Sequence, residues 1–294
     1  MKYSSTPADA LSSASIPYRH ERPSARLVQI SDPHLLSRSS DLHRTVNTSD
    51  SLERVLSHAQ SFIEDADAVL LTGDIAQDEK AATYERLYAS WTDEWIGRDT
   101  PVWCLPGNHD APVPMQSTLN QAPFTCLGHH SLDNWEVVAL DSRNPGKASG
   151  LLGQQELERL EQRLNNSPAE HLLLALHHHA LPLGNSWLDS VGLEDRGAFE
   201  KLVSGHSRVR AVIFGHIHHH VDRVVKGVRY LGCPSTCVQF KAYQREFELD
   251  IQPPGFRILS LYPSGAIDTQ IIWSRTRPVK NGQLTDSGEE AAQT

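Results

Sequence analysis

Five short apolar runs in this chain each stop abruptly at residues able to hold a cation or an anion, and that recurrence constrains the fold more than any other feature. The run 26–31 is followed by Asp32-Pro33-His34, 68–72 by Gly73-Asp74, and 101–105 by Gly107-Asn108-His109-Asp110. Later, 172–176 leads into His177-His178-His179, and 209–214 into Gly215-His216-Ile217-His218. Runs this short, rich in β-branched and aliphatic residues and closed by polar ones, read as buried strands. Carboxylate, imidazole and amide groups therefore gather at strand ends, where open α/β sheets bind their ligands.

Helical patterns separate the runs. Leu52, Val55, Leu56, Ala59, Phe62 and Ile63 fall on one helical face, with Asp50 and Glu53 expected as its capping pair. Tyr84, Leu87, Tyr88 and Trp91 repeat the spacing before 101–105, as do Leu157, Leu160 and Leu164 before 171–176. Further strands are expected at 135–140, 228–231, 255–261 and 266–273, the last two joined by a turn at Pro263-Ser264-Gly265. An α/β chain in layers, with two packed sheets flanked by helices, uses all of these segments. Residues 1–24 and 275–294 carry too little apolar surface to offset the entropy of ordering them. They are expected to be disordered tails around one domain spanning 25–274.

Bulk properties exclude several classes of function. A formal charge of -9 and a pI near 5.9 supply no basic field for tracking a nucleic-acid polymer, so polymeric DNA or RNA is not the expected partner. No apolar stretch reaches the roughly 18 residues a membrane helix needs, and the first residues lack an apolar leader core. A cytoplasmic location without membrane contact is expected. Cys104, Cys126, Cys233 and Cys237 form no CxxC pair and read as reduced core thiols. No G-x-G-x-x-G follows the first strand and no P-loop occurs, which sets aside NAD and P-loop nucleotide chemistry.

What the strand ends do supply is a metal-ligand set. Two adjacent divalent cations need about six to eight protein ligands of mixed oxygen and nitrogen character, including one carboxylate to bridge them. Asp32, His34, Asp74, Asn108, His177, His216 and His218 supply that set. The one-residue gaps in Asp32-x-His34 and His216-x-His218 suit residues leaving a strand, where i and i+2 point the same way. Glycines 73, 107 and 215 are expected to permit tight exits. Any one fragment alone is more often a turn or a helix cap; five in order after five strands are not.

In that order the fragments D-x-H, G-D, G-N-H-D, H and G-H-x-H resemble the calcineurin-like metallophosphoesterase superfamily, over roughly residues 27–240. More narrowly, the stretches 177–182, 184–189 and 234–240 resemble bacterial class III 3′,5′-cyclic AMP phosphodiesterases. The resemblance implies a sandwich of two mixed β-sheets flanked by helices. It places Asp32, His34 and His218 on one metal, Asn108, His177 and His216 on the other, and Asp74 between them. It further implies hydrolysis of 3′,5′-cyclic AMP to 5′-AMP by a metal-bridging hydroxide, with Asn108 and His109 meeting the substrate. His109 is the implied proton donor to the leaving ribose oxygen, with Asp110 a candidate to orient it. The alternatives are a broad-specificity phosphodiesterase acting on 2′,3′-cyclic nucleotides or other phosphoesters, and a non-catalytic scaffold of the same fold.

Gln77 stands where purple acid phosphatases carry a tyrosine, so no tyrosinate-bound ferric ion is expected. A donor set of oxygen and nitrogen without thiolate suits iron or manganese as the two divalent ions, with zinc or cobalt as substitutes. The expected partner is a small cyclic nucleotide. His178 and His179 are expected behind the ligands or on the rim, and His129, His130, His219 and His220 on the solvated surface. Arg143 is expected as a solvated or paired surface charge rather than a phosphate contact, Trp91 and Trp95 on a buried helix face, and Trp187 in core or lid packing.

Overall fold

The structure is a computed structural model that describes residues 21–93 and 99–274. Its first half alternates strand and helix: β1 (Ala25–Ile30), a small hairpin of β2 (Leu42–His43) and β3 (Val46–Asn47), α1 (Thr48–Glu64), β4 (Ala68–Thr72), α2 (Ala81–Asp93), β5 (Val102–Leu105), α3 (Pro112–Leu119) and β6 (Phe124–Cys126). There follow β7 (Gly128–Leu132), β8 (Trp135–Ala139), α4 (Gly153–Asn166), β9 (His171–Leu176), the short α5 (Ser186–Asp189), α6 (Arg196–Ser204) and β10 (Val209–Phe214). The chain closes with β11 (Val221–Val225), β12 (Val228–Gly232), β13 (Gln239–Phe240), β14 (Leu249–Asp250), β15 (Gly255–Leu261) and β16 (Ile267–Trp273).

Two six-stranded mixed sheets result, in the orders β16-β15-β1-β4-β5-β6 and β11-β12-β10-β9-β8-β7. Period-two alternation sorts the apolar residues among three layers. Leu27, Leu70, Trp103 and Leu105 face Val137, Leu173, Ala211 and Ile213 between the sheets. Val28, Val69, Leu71 and Cys104 turn the other way, onto the apolar faces of α1, α2 and α3. Leu172, Leu174, Val212 and Phe214 pack the outer face of the second sheet against α4 and α6. The expected layered α/β sandwich is therefore the observed one.

Pairing direction decides where the motifs meet. β1, β4 and β5 run parallel in one sheet, and β9 and β10 run parallel in the other. Their carboxyl ends lie together at one mouth of the sandwich. Buried Gln29 joins the sheets just beneath it, donating to Thr72 Oγ1 at 3.1 Å and to the Phe214 carbonyl at 3.2 Å.

Several local expectations change. Helix α1 starts a turn earlier than the Asp50/Glu53 pair implied: Asn47, extended at the end of β3, accepts from the Asp50 amide at 3.1 Å and is the N-cap. Among the cysteines, all free, Cys126 is only half-buried, and its Sγ lies 3.2 Å from that of Cys104 on the neighbouring strand. The expected tails fall, apart from 21–24, outside the described residues, as does Trp95; Trp91 is buried as expected. Among the described residues no helix is long and apolar enough to cross a membrane.

Arg257 ties the sandwich together from β15. Its buried guanidinium donates to the carbonyls of Val221 (3.1 Å) and Gly232 (2.7 Å) in the opposite sheet and to Thr269 Oγ1 (2.9 Å). Arg257→Leu leaves two buried carbonyls and the half-buried Thr269 hydroxyl without their donor and is expected to cost about 2–4 kcal/mol, at about 1 kcal/mol or more for each stranded carbonyl. Urea unfolding of the variant against the native chain measures that loss.

Candidate metal centre

The strand exits that deliver the candidate ligands are strained. Asp32 (φ 53°), His34 (47°), Asp74 (49°), His216 (68°) and His218 (49°) all occupy the left-handed region, unusual for residues with a Cβ and frequent at functional sites. Simple strand alternation is therefore not what aims Asp32 with His34 or His216 with His218. The glycines act differently from expectation too. Only Gly73 among the three has a positive φ (91°). Gly107 and Gly215 are required by close approach instead: a Cβ would lie 2.2 Å from Asp74 Oδ1 at the first and 2.0 Å from Ser31 Oγ at the second.

These exits bring six of the seven residues into one buried network. His34 Nε2 faces His218 Nε2 at 3.0 Å, and His218 Nε2 lies 3.3 Å from Asp32 Oδ1. Asp74 Oδ2 lies 3.3 Å from His177 Nε2 and 3.8 Å from His34 Nε2, so its carboxylate touches both halves of the cluster. His216 Nδ1 meets His177 Nε2 at 3.2 Å, and the His216 amide donates to both oxygens of Asp32. The seventh, Asn108, follows the same strand exit as His109, and its buried Oδ1 has no hydrogen-bond partner.

Outer hydrogen bonds fix which ring nitrogens can bind a cation. His34 Nδ1 donates to Gln77 Oε1 (2.8 Å), His177 Nδ1 to the Thr72 carbonyl (2.8 Å) and His218 Nδ1 to the Val238 carbonyl (2.7 Å). In the neutral rings this leaves all three Nε2 lone pairs pointing inward. Two lone pairs 3.0 Å apart, two buried carboxylates and an orphaned amide oxygen repel or waste one another unless cations lie among them. The donor set thus fits a dinuclear centre, in overlapping groups of Asp32, His34 and His218, of Asp32, Asp74 and His177, and of His34, Asp74 and His109.

The electrostatics point the same way. Burial pushes His34 down to about 3, keeping it neutral and able to donate its lone pair. Burial opposes a charge on His177 as well, but the carboxylates of Asp74 and Asp32 outweigh it and raise the ring to about 9. Negative charge concentrated at this mouth therefore favours a positive charge among these side chains.

Residues 25–220 match the calcineurin-like phosphoesterase family. The chain belongs to that family. It is a metal-dependent phosphoesterase, a hydrolase. Among its relatives, the 3′,5′-cyclic adenosine monophosphate phosphodiesterase CpdA of Haemophilus influenzae is 34% identical over 255 residues, covering 86% of this chain and 92% of that one. The protein of the same name from Escherichia coli K12 is 37% identical over 247 residues, covering 84% and 88%. A dimetal phosphatase from Danio rerio has the same fold, with a TM-score of 0.61 at 14% identity over 82% of this chain and 94% of that chain.

Within this calcineurin-like phosphoesterase, several neighbours of the cluster depart from expectation. Asp110 does not touch the His109 ring. Its carboxylate accepts from the amides of Gly107 (2.9 Å), Ile75 (3.0 Å) and Ala76 (2.9 Å) and from Tyr84 Oη (2.9 Å), stapling the Asp74 exit to the Asn108 exit. Burial, with Asp74 nearby, raises it to about 6. The residue that does reach His109 is Gln77, whose Nε2 donates to His109 Nδ1 at 3.2 Å while its Oε1 holds His34. Sequence had marked Gln77 only for the tyrosine it replaces.

His178 and His179 are fully buried rather than on a rim. His178 Nδ1 meets Ser142 Oγ at 2.8 Å, and its ring stands against His177 and His216 at 5.0 and 4.7 Å. Gly150 and Gly192 make room for the two rings: a Cβ would come within 2.4 Å of His178 and 2.6 Å of His179. His129 and His220 are exposed as expected, whereas His219 is half-buried and His130 lies flat on Trp103 at 4.2 Å. Arg143 pairs with Asp141 at 2.5 Å, and Trp187 packs on Phe240 and Phe247.

Gln77→Ala frees both rings to rotate and to exchange tautomers. We expect kcat/KM for a phosphodiester to fall by about 10- to 100-fold, the usual effect of losing a residue that orients a metal ligand. Steady-state kinetics on metal-loaded protein measure it.

Proposed function

We propose that this chain hydrolyses 3′,5′-cyclic AMP to 5′-AMP on two divalent cations, iron or manganese. Asp32, His34 and His218 would hold one ion, Asn108, His177 and His216 the other, with Asp74 shared. The observation that carries the reading is the convergence of three inward Nε2 lone pairs and two carboxylates at the sandwich mouth, directly beside His109. Bound there, such cations neutralise charge on the phosphodiester oxygens and acidify water.

The chain's own side chains do the rest. Because Gln77 occupies His109 Nδ1, Nε2 is the ring nitrogen left to face the substrate, and it donates from the protonated ring, which ends as neutral imidazole. That atom is the donor to the ribose 3′ oxygen as its bond to phosphorus breaks. The His109 amide, donating to Asp74 Oδ1 at 2.9 Å, holds the proton donor in register with the shared carboxylate. Asn108, one residue away, joins the second metal position to the substrate phosphate.

Cyclic AMP is favoured as substrate because relatives matching over most of both chains are named for that activity. The same centre would also serve a broad-specificity phosphodiesterase. Comparing kcat/KM for 3′,5′-cyclic AMP, 2′,3′-cyclic AMP and bis(p-nitrophenyl) phosphate separates the two. A preference for the first supports the proposal; a preference for either of the others replaces it with the general activity.

A further inference from the structure

The β2–β3 hairpin is not used by the chemistry above, yet it touches the centre. Its two-residue turn is Arg44-Thr45, with φ of 47° and 71°. Such turns favour Asn and Gly, which tolerate left-handed backbone, so an arginine followed by a β-branched residue is strained. The strained turn places two side chains. The His43 ring lies parallel to His34 at 5.1 Å, and the Arg44 guanidinium lies over Phe247 at 4.5 Å.

Phe247 belongs to the segment between β13 and β14. It meets Phe240 at 5.2 Å, and Phe240 lies flat on His218 at 3.9 Å. His34, His43, Arg44, Phe247, Phe240 and His218 therefore form a closed ring of contacts on one side of the metal centre. Arg44 is exposed and has no ion-pair partner among the described residues, and Phe247 is 41% exposed. An exposed guanidinium stacked on a partly exposed aromatic ring thus stands beside a buried site.

We propose that this rim is a purine-binding subsite in which Arg44 and Phe247 hold the base of the cyclic nucleotide. The inference rests on the cyclic-nucleotide reading above. Its direction follows from His109: the leaving ribose oxygen must lie beside that ring, and His109 meets His34, whose ring also carries His43. A nucleoside leaving the phosphate on that side runs over His43 to Arg44 and Phe247. There the base finds an aromatic ring and a guanidinium plane for its π face. Arg44, which only donates hydrogen bonds, addresses the ring acceptors that purines present, N7 above all.

The test uses the full-length, metal-loaded chain and two esters with the same reacting group, 3′,5′-cyclic AMP and the base-free cyclic phosphate of 1-deoxyribose. Arg44→Ala and Phe247→Leu are each expected to raise KM for cyclic AMP about 10-fold, the size of one base-stacking contact, with kcat and the base-free ester changed by less than about two-fold. Unchanged melting temperatures establish that the variants fold. Equal effects on both esters, or none on either, overturn the subsite. A native chain that cleaves the base-free ester as well as cyclic AMP also overturns it while leaving phosphodiester hydrolysis intact. Cleavage of neither ester removes the cyclic-nucleotide reading itself, and the subsite with it.

Discussion

Asn108→Ala is expected to lower kcat/KM for 3′,5′-cyclic AMP by about 1,000-fold, the upper end of what one group stabilising developing charge contributes. The expectation comes from a buried amide oxygen that no group among the described residues satisfies. Asn108 Oδ1 is buried without a hydrogen-bond partner, an arrangement that costs stability unless something outside the chain satisfies it. Removing the amide should therefore leave the melting temperature of the metal-free protein unchanged or slightly raised. Metal analysis should at the same time show occupancy falling from two ions toward one. A variant that unfolds, or one that keeps both ions and full turnover, would mean that Asn108 serves the fold and not the site.

His109→Ala is expected to act on a different quantity. General acid catalysis contributes about 100- to 10,000-fold, and the loss should approach that size for 3′,5′-cyclic AMP. There the leaving group is a ribose alkoxide that departs poorly without a proton. With bis(p-nitrophenyl) phosphate the p-nitrophenolate leaves without protonation, and the same substitution should matter far less. Metal content should stay at that of the native chain under the proposed assignment, in which Asp32, His34, Asp74, Asn108, His177, His216 and His218 hold the ions and the His109 ring only touches His34 and Gln77. The contrast between the two variants, one losing an ion and the other losing selectively against poor leaving groups, is what separates ligand from proton donor. Equal losses on both esters would assign His109 to substrate or metal binding instead.

Much of the arrangement was legible in the sequence because it is local. Each candidate ligand follows its strand within a few residues, and apolar runs of five or six identify strands without knowledge of their partners. Hydrophobic spacing likewise found α1, α2 and α4. It missed α3, α5, α6 and β11, and also several strands whose stability is not local. β2 with β3, and β13 with β14, are two-residue pairs. β6 and β7 mix His, Ser and Thr into their runs, and their pairing with β5 and β8 supplies the stability.

The same limit applies around the site. Gln77 joins His34 to His109 across 43 and 32 residues of sequence, and no local pattern encodes that. Asp110 sits beside His109 in the chain, so adjacency suggested a partner, yet its carboxylate is consumed by three backbone amides and Tyr84. His178 and His179 are buried because Gly150 and Gly192 come close to them from elsewhere in the chain. The helix cap shifted from Asp50 to Asn47 for a related reason, since the β2–β3 hairpin feeds α1 directly.

Hydrolysis of a 3′,5′-cyclic nucleotide by the buried histidine and carboxylate cluster is expected only when the cluster is loaded with metal. The direct measurement is chromatography of the products from 3′,5′-cyclic AMP incubated with native protein, chelator-stripped protein, and stripped protein to which manganese or ferrous iron has been returned. 5′-AMP is expected from the first and third and none from the second. Formation of 5′-AMP at the native rate by the stripped protein, or its absence from all three, would rule out metal-dependent cyclic-nucleotide hydrolysis at this cluster.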